Sequence, residues 1–218
     1  MIGIYDYTVV LTYISFVSAA AGIFCASTMH LRWSIFFLAL SGLCDMFDGK
    51  IARTKKNRTD DEKSFGIQID SLCDIVCFGI LPMIICFKLG MDHIYSMIIL
   101  TLYGLAGLIR LAFFNVMEAK RQESTEDARK YYQGLPITSM AVVLPLLFLV
   151  SPLFPTHDMF LVVLHIMVAL VGILFITDFK FRKPSTKEVL LLVILVAAAV
   201  LVILFIWRSW WRLLHFYE

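Results

Sequence analysis

The sequence predicts an all-α integral membrane protein, a helical bundle of about seven transmembrane helices, and three observations carry that prediction. Apolar residues fill 60% of the 218 positions and charged residues only 17%, with a mean hydropathy of +0.84. The apolar residues fall in runs close to the roughly 20 residues that a helix rising about 1.5 Å per residue needs to cross about 30 Å of hydrocarbon. Lys and Arg gather between the runs rather than within them. A soluble domain cannot cover such a composition with polar surface. The net charge of +2 provides no basic face for nucleic acid, and none is expected as a partner.

The first run, 8–28, follows seven residues without a basic stretch and shows no small-residue cleavage site, so it reads as a retained span. The second and third, 31–50 and 66–88, each carry acids towards one end. The fourth, 94–117, contains Arg110, and the fifth, 137–153, is the shortest. The last two, 158–177 and 187–207, are uninterrupted. The connection 118–134 mixes acids and bases (EAKRQESTEDARKYY) and reads as an amphipathic helix lying along the membrane face. The terminal WRSWWRLLHFYE suits an interfacial helix with its rings at headgroup depth. No repeat or linker divides the chain, so a single membrane domain over 1–218 is expected.

Three stretches, 50–63, 118–130 and 178–187, hold 14 of the 19 basic residues and fall on one side of a seven-span arrangement. The positive-inside rule makes that side cytoplasmic, with the N-terminus inside and the C-terminus outside, in a multi-pass protein of the cell membrane. Cys25, Cys44, Cys73, Cys77 and Cys86 all lie in expected spans with neither zinc nor disulfide spacing, and read as packing residues. The five histidines are scattered without metal spacing and receive no role.

An ionised Asp at the bilayer centre costs about 2.5–3.5 kcal/mol on insertion scales, so acids within spans need partners or a purpose. The second span ends in Asp45 and Asp48, at i and i+3; the third opens with Asp70 and Asp74, at i and i+4. Each pair lines one helix stripe. The two spans are antiparallel neighbours, so the stripes can converge into one acidic cluster whose natural counter-ions are hard divalent cations, Mg²⁺ or Mn²⁺. Two such ions suit phosphoryl chemistry. Gly42, Gly49, Ala52 and Gly66 share faces with the acids. Gly42 reads as a packing residue, while Gly49 beside Asp48 reads as room for a ligand.

The pattern Asp45-x-x-Asp48-Gly49-x-x-Ala52-Arg53, then Gly66-x-x-x-Asp70-x-x-x-Asp74, resembles the signature of the CDP-alcohol phosphatidyltransferases. Twelve residues separate Arg53 from Gly66, a longer connection than is usual in that family. The resemblance implies a six-helix membrane core over about 1–180, with 181–218 adding a further span and tail. It implies transfer of a phosphatidyl group from CDP-diacylglycerol to an alcohol with release of CMP. By that likeness Asp45, Asp48, Asp70 and Asp74 bind two divalent cations, Asp74 also serves as the base, and Gly49, Ala52, Arg53 and Gly66 line the CDP-lipid subsite. A homodimer is implied as well. The blocks DSLCDIVCFGILP, RLAFFNV, GLPIT and ITDFKFRKPS look like those of the branch whose acceptor is L-serine.

Arg110 reads either as a grip on a lipid phosphate or serine carboxylate, or as a side chain reaching for the interface, with Asn115 as a possible hydrogen-bonding neighbour. Arg53 is similarly divided between phosphate contact and topological anchor. Two rival readings stand beside this one: a family member with glycerol 3-phosphate or inositol phosphate as acceptor, and a cation transporter, since acids within spans also mark ion pathways.

Overall fold

The computed structural model describes residues 3–52, 54–55, 57–124, 131–182 and 186–205. A 3-10 turn, Tyr7–Val9, opens the chain, with the Asp6 side chain accepting a hydrogen bond from the Tyr7 amide. Helix α1 (Val10–Ser27) then turns back into α2 (Leu31–Ala52) through Met29, at φ 61. The buried face of α1 is made of small residues, Thr12, Ser15, Ser18, Ala19, Gly22 and Ala26. Such a stripe lets two helix backbones come close where lipid offers no hydrophobic drive. Hydroxyls bridge the pair, from Ser34 Oγ to the Gly22 carbonyl at 2.8 Å and from Ser15 Oγ to the Ser41 carbonyl at 3.1 Å.

Helix α3 (Asp60–Asp74) starts at a capping box, in which the Thr59 hydroxyl accepts from the Glu62 amide and the Glu62 carboxylate from the Thr59 amide. It continues through a π turn, Ile75–Ile80, into α4 (Leu81–Lys88). Pro82 explains much of this. Lacking an N–H, it leaves the Phe78 carbonyl without its usual i+4 donor, and the buried Tyr103 hydroxyl donates to that carbonyl instead. Tyr103 belongs to α5 (Ile94–Ser124).

Next come a strand β1 (Tyr131–Gln133), α6 (Met140–Val150) between two 3-10 turns, α7 (His157–Ile176), a strand β2 (Lys180–Arg182) and α8 (Thr186–Phe205). The core runs through the middle of the bundle, with Ile35 and Leu38 of α2, Phe78 and Leu81 around the π turn, and Leu144 and Leu164 from α6 and α7 all fully buried. Large apolar side chains such as Ile98, Leu102 and Leu105 of α5 point outward, as expected where the solvent is lipid.

The expected all-α membrane class holds, with two corrections. Among the described residues five helical stretches are long and apolar enough to cross a membrane: Tyr7–Ser27, Asp60–Lys88, Ile94–Ala119, His157–Ile176 and Lys187–Phe205. Of the other two expected spans, Ile137–Leu153 is a shorter apolar helix. The other, α2, has 22 residues but carries Arg32, Asp45, Asp48 and Lys50, so it falls short on charge rather than length. The second correction concerns 118–134, where an amphipathic helix was expected. Instead α5 runs on to Ser124 and β1 pairs antiparallel with β2, setting Tyr131 opposite Arg182 and Gln133 opposite Lys180, while 125–130 lie outside the described residues. The expected interfacial tail, 207–218, lies outside the described residues.

Candidate active site

Asp45 and Asp48 lie in the last two turns of α2, towards the α2–α3 connection, and Asp70 and Asp74 lie in the last turn of α3. Carboxylate oxygens of Asp45, Asp70 and Asp74 all lie within 4.8 Å of one another. Asp45 faces Asp74, and Asp48 faces Asp70. Asp48 and Asp74 are both only 8% exposed. Among the described residues no Lys or Arg pairs with any of the four. Like charges held this close out of water repel strongly unless cations join them. An all-carboxylate donor set fits Mg²⁺ or Mn²⁺ and offers zinc none of the nitrogen or sulfur ligands it favours.

Helix α1 supplies a contact that the motif does not contain. Thr12 Oγ1 donates to Asp48 Oδ2 at 3.3 Å, and the Thr12 carbonyl accepts from Cys73 Sγ at 3.3 Å. Cys73 and Cys77 stack behind the acids on α3 and the π turn, with sulfurs 3.5 Å apart, and Ser15 Oγ lies 3.5 Å from Cys77 Sγ. All five cysteines are free thiols. A polar seam on α1 therefore backs the acidic stripes and fixes the orientation of one carboxylate.

The small residues divide by what surrounds them. A Cβ on Gly49 would meet nothing within 4 Å, so open space adjoins Asp48 on α2. A Cβ on Gly42 would come within 2.6 Å of the Ala141 Cβ, which makes Gly42 a packing residue between α2 and α6. A Cβ on Gly66 would lie 2.7 Å from Arg58 Nη2, so the space beside Gly66 holds a guanidinium of the same chain. Ala52 is half-buried at the last position of α2. Arg53 lies outside the described residues.

Asn115 is tied directly to the acidic helix, its Oδ1 accepting from Ser71 Oγ at 2.8 Å, one residue after Asp70. Arg110 is buried and donates to the Gly134 carbonyl at 3.4 Å. Gly134 sits at φ +67 and its amide donates to the Phe179 carbonyl at 2.8 Å, so Arg110 secures the entry to α6 beside the two-stranded ribbon. Beyond the described spans, Lys55 Nζ bridges Asp6 at 2.7 Å and Glu62 at 2.8 Å, strapping the α2–α3 connection to both neighbouring segments. The bond to Lys55 holds the Asp6 carboxyl below its ordinary value, and the two carboxylates raise the Lys55 ammonium above its own.

The fold and site define a membrane-embedded helical bundle with a paired-helix carboxylate cluster. The family model described as CDP-alcohol phosphatidyltransferase matches residues 7–174, and the chain belongs to that family. Helix α8 lies beyond the match. The chain is 40% identical over 111 residues to the CDP-diacylglycerol–serine O-phosphatidyltransferase of Saccharomyces cerevisiae, covering 50% of this chain and 39% of that protein. It is 30% identical over 175 residues to the enzyme of the same name from Helicobacter pylori, covering 77% of this chain and 67% of that one. The archaetidylserine synthase of Methanothermobacter thermautotrophicus is 33% identical over 115 residues, covering 52% of this chain and 45% of that protein.

Proposed function

We propose that the chain is a phosphatidylserine synthase, transferring the phosphatidyl group of CDP-diacylglycerol to the hydroxyl of L-serine and releasing CMP. The observation that carries this reading is the convergence of Asp45, Asp70 and Asp74 within 4.8 Å, with Asp48 alongside, in a chain of this family. The choice of serine is supported by the names of relatives from yeast, bacteria and archaea.

In this reading Asp45, Asp48, Asp70 and Asp74 would hold two divalent cations, Mg²⁺ or Mn²⁺, which would polarise the phosphorus of the CDP-lipid for attack. Thr12 keeps Asp48 in its binding orientation. The serine hydroxyl is a weak acid, and Asp74 accepts its proton as the oxygen attacks phosphorus. One P–O bond forms to serine as the P–O bond to CMP breaks, and CMP leaves with the electron pair. The open space at Gly49, with Ala52 and Arg53 further along the chain and Gly66 on α3, forms the wall of the CDP-lipid subsite. Asn115, held by Ser71 beside Asp70, is placed to orient the acceptor, whereas the contact of Arg110 with Gly134 supports a role in positioning the loop before α6.

The whole of 1–218 is read as one membrane domain, its core over about 1–180, acting as a homodimer in the cytoplasmic membrane with the site facing the cytoplasm. The basic connections 50–63, 118–130 and 178–187 support that orientation.

The test is CMP release by purified protein given CDP-diacylglycerol and Mg²⁺ or Mn²⁺, comparing L-serine with glycerol 3-phosphate and myo-inositol phosphate, with Asp74→Asn alongside. Serine-dependent release lost in the variant supports the proposal. Release with another acceptor alone overturns the serine assignment and keeps the metal site. No release with any acceptor overturns the enzymatic reading.

A further inference from the structure

We infer that Arg58, a residue outside the family signature, is a substrate-binding residue whose guanidinium takes the phosphate oxygens of the cytidine nucleotide. The inference rests on the CDP-linked donor proposed above.

Arg58 lies in the long connection between α2 and α3, and its Nη2 sits where a Cβ on Gly66 would be, 2.7 Å away. Gly66 stands four residues before Asp70 on the same stripe of α3, about 6 Å along the helix axis at 1.5 Å per residue. The guanidinium therefore lies beside the stripe of α3 that carries Asp70 and Asp74, on its side nearer the α2–α3 connection. It is held there by a hydrogen bond from Nη2 to the Glu62 carbonyl at 3.0 Å, within a connection strapped by Lys55 and capped by Thr59.

What Arg58 lacks is an anion. Its neighbours are paired, Lys55 with Asp6 and Glu62 and Lys63 with Asp60, but among the described residues no carboxylate pairs with Arg58. Its Nε is buried and finds no acceptor among the described residues. A buried donor left unsatisfied costs about 1–3 kcal/mol, and more for a charged group, so the site is poised for an acceptor oxygen.

Charge balance says which acceptor. Four ionised carboxylates already offset two divalent cations, so the negative charge of an incoming diphosphate needs a further cation at the cleft. A planar guanidinium with a free N–H meets phosphate oxygens in a bidentate fork, which a lysine cannot reproduce.

The experiment measures binding of CMP and of cytidine, which lacks the phosphate, to the full-length protein in lipid nanodiscs with Mn²⁺, for wild type, Arg58→Gln, Arg58→Lys and the exposed control Lys63→Gln. Arg58→Gln is expected to weaken CMP binding about tenfold, the effect of losing about 1.4 kcal/mol, with cytidine binding and the thermal midpoint unchanged. Arg58→Lys should recover only part of the loss, and Lys63→Gln should match wild type. CMP binding within twofold of wild type in Arg58→Gln overturns the inference, as does an equal weakening of CMP and cytidine. A rise in the serine KM alone also overturns it, because the guanidinium then serves the acceptor. If wild-type protein binds no CMP, the cytidine-linked donor falls and this inference falls with it.

Discussion

Helices α2 and α7 bury stripes of the same spacing and fill them with opposite chemistry. On α7 the buried positions are Phe160, Leu164, Val168, Val171, Gly172 and Phe175, and a Cβ on Gly172 would lie 3.3 Å from the Tyr103 Cα on α5. Its polar contacts centre on His165, which meets Ser96 of α5 at 2.7 Å and its own Leu161 carbonyl at 2.6 Å. On α2 the stripe begins alike, with Leu31, Ile35 and Leu38, then changes to Ser41, Cys44 and Asp48 towards the α2–α3 connection. There the helix gives up apolar contact for charge and open space, most plainly at Gly49. The difference teaches that α7 is built for cohesion, while the last turns of α2 place buried carboxylates beside open space, as the proposed metal site requires.

Chelation tests that contrast most severely. Removing divalent cations is expected to abolish CMP release, and adding back Mg²⁺ or Mn²⁺ to restore it; full activity in chelator would erase the distinction between the two helices. Asp74→Asn should lower kcat by about 10²–10⁴-fold, the usual contribution of a positioned base. The metal-free thermal midpoint should not fall, because one of several crowded like charges has gone. A large drop in that midpoint would instead make Asp74 a structural residue like those of α7.

Thr12→Val sharpens the comparison by keeping the shape of α1 and deleting the donor to Asp48. Groups that orient metal ligands typically matter by about 10–100-fold in metal affinity, so the concentration of Mn²⁺ needed for half-maximal turnover should rise by about tenfold. Gly42→Ala probes the cohesive part of α2, where a Cβ collides with Ala141, and should cost about 1–3 kcal/mol as overpacking does. Ala141→Gly should restore the midpoint. The smallest effect is expected at the lipid-facing Leu191 of α8, 66% exposed, where Leu191→Ala should change stability by less than about 0.5 kcal/mol.

The four acids were legible in the sequence because charge inside a hydrophobic run is costly and their three- and four-residue spacing announces a common face. The packing role of Gly42 was legible for a related reason, since a small residue in a span usually marks a close helix contact. Thr12 was harder to see, because one hydroxyl in an apolar run resembles any small residue. Its signal was the series Thr12, Ser15, Ala19, Gly22 and Ala26, which marks the close-packing face of α1. Arg58 was hidden by its basic neighbours, which serve topology equally well, and only the geometry at Gly66 sets it apart. The β1–β2 ribbon joins two three-residue segments far apart in the chain, too short for any alternating pattern to declare them.

The π turn at Ile75–Ile80 has a further consequence for how the chain tolerates length changes. A π turn is in effect one extra residue wound into an α-helix, and it falls between the acids of α3 and the core-packing face of α4. It thus lets one continuous helix aim two surfaces that a regular winding would leave out of phase. Winding the same residues as regular α-helix would rotate Asp70 and Asp74 by about 100° relative to Leu81 and Ile85, one residue's share of a 3.6-residue turn, whereas deleting one residue there would straighten the turn and keep the present aim. The stretch is therefore a rotational spacer that can absorb the loss of one residue.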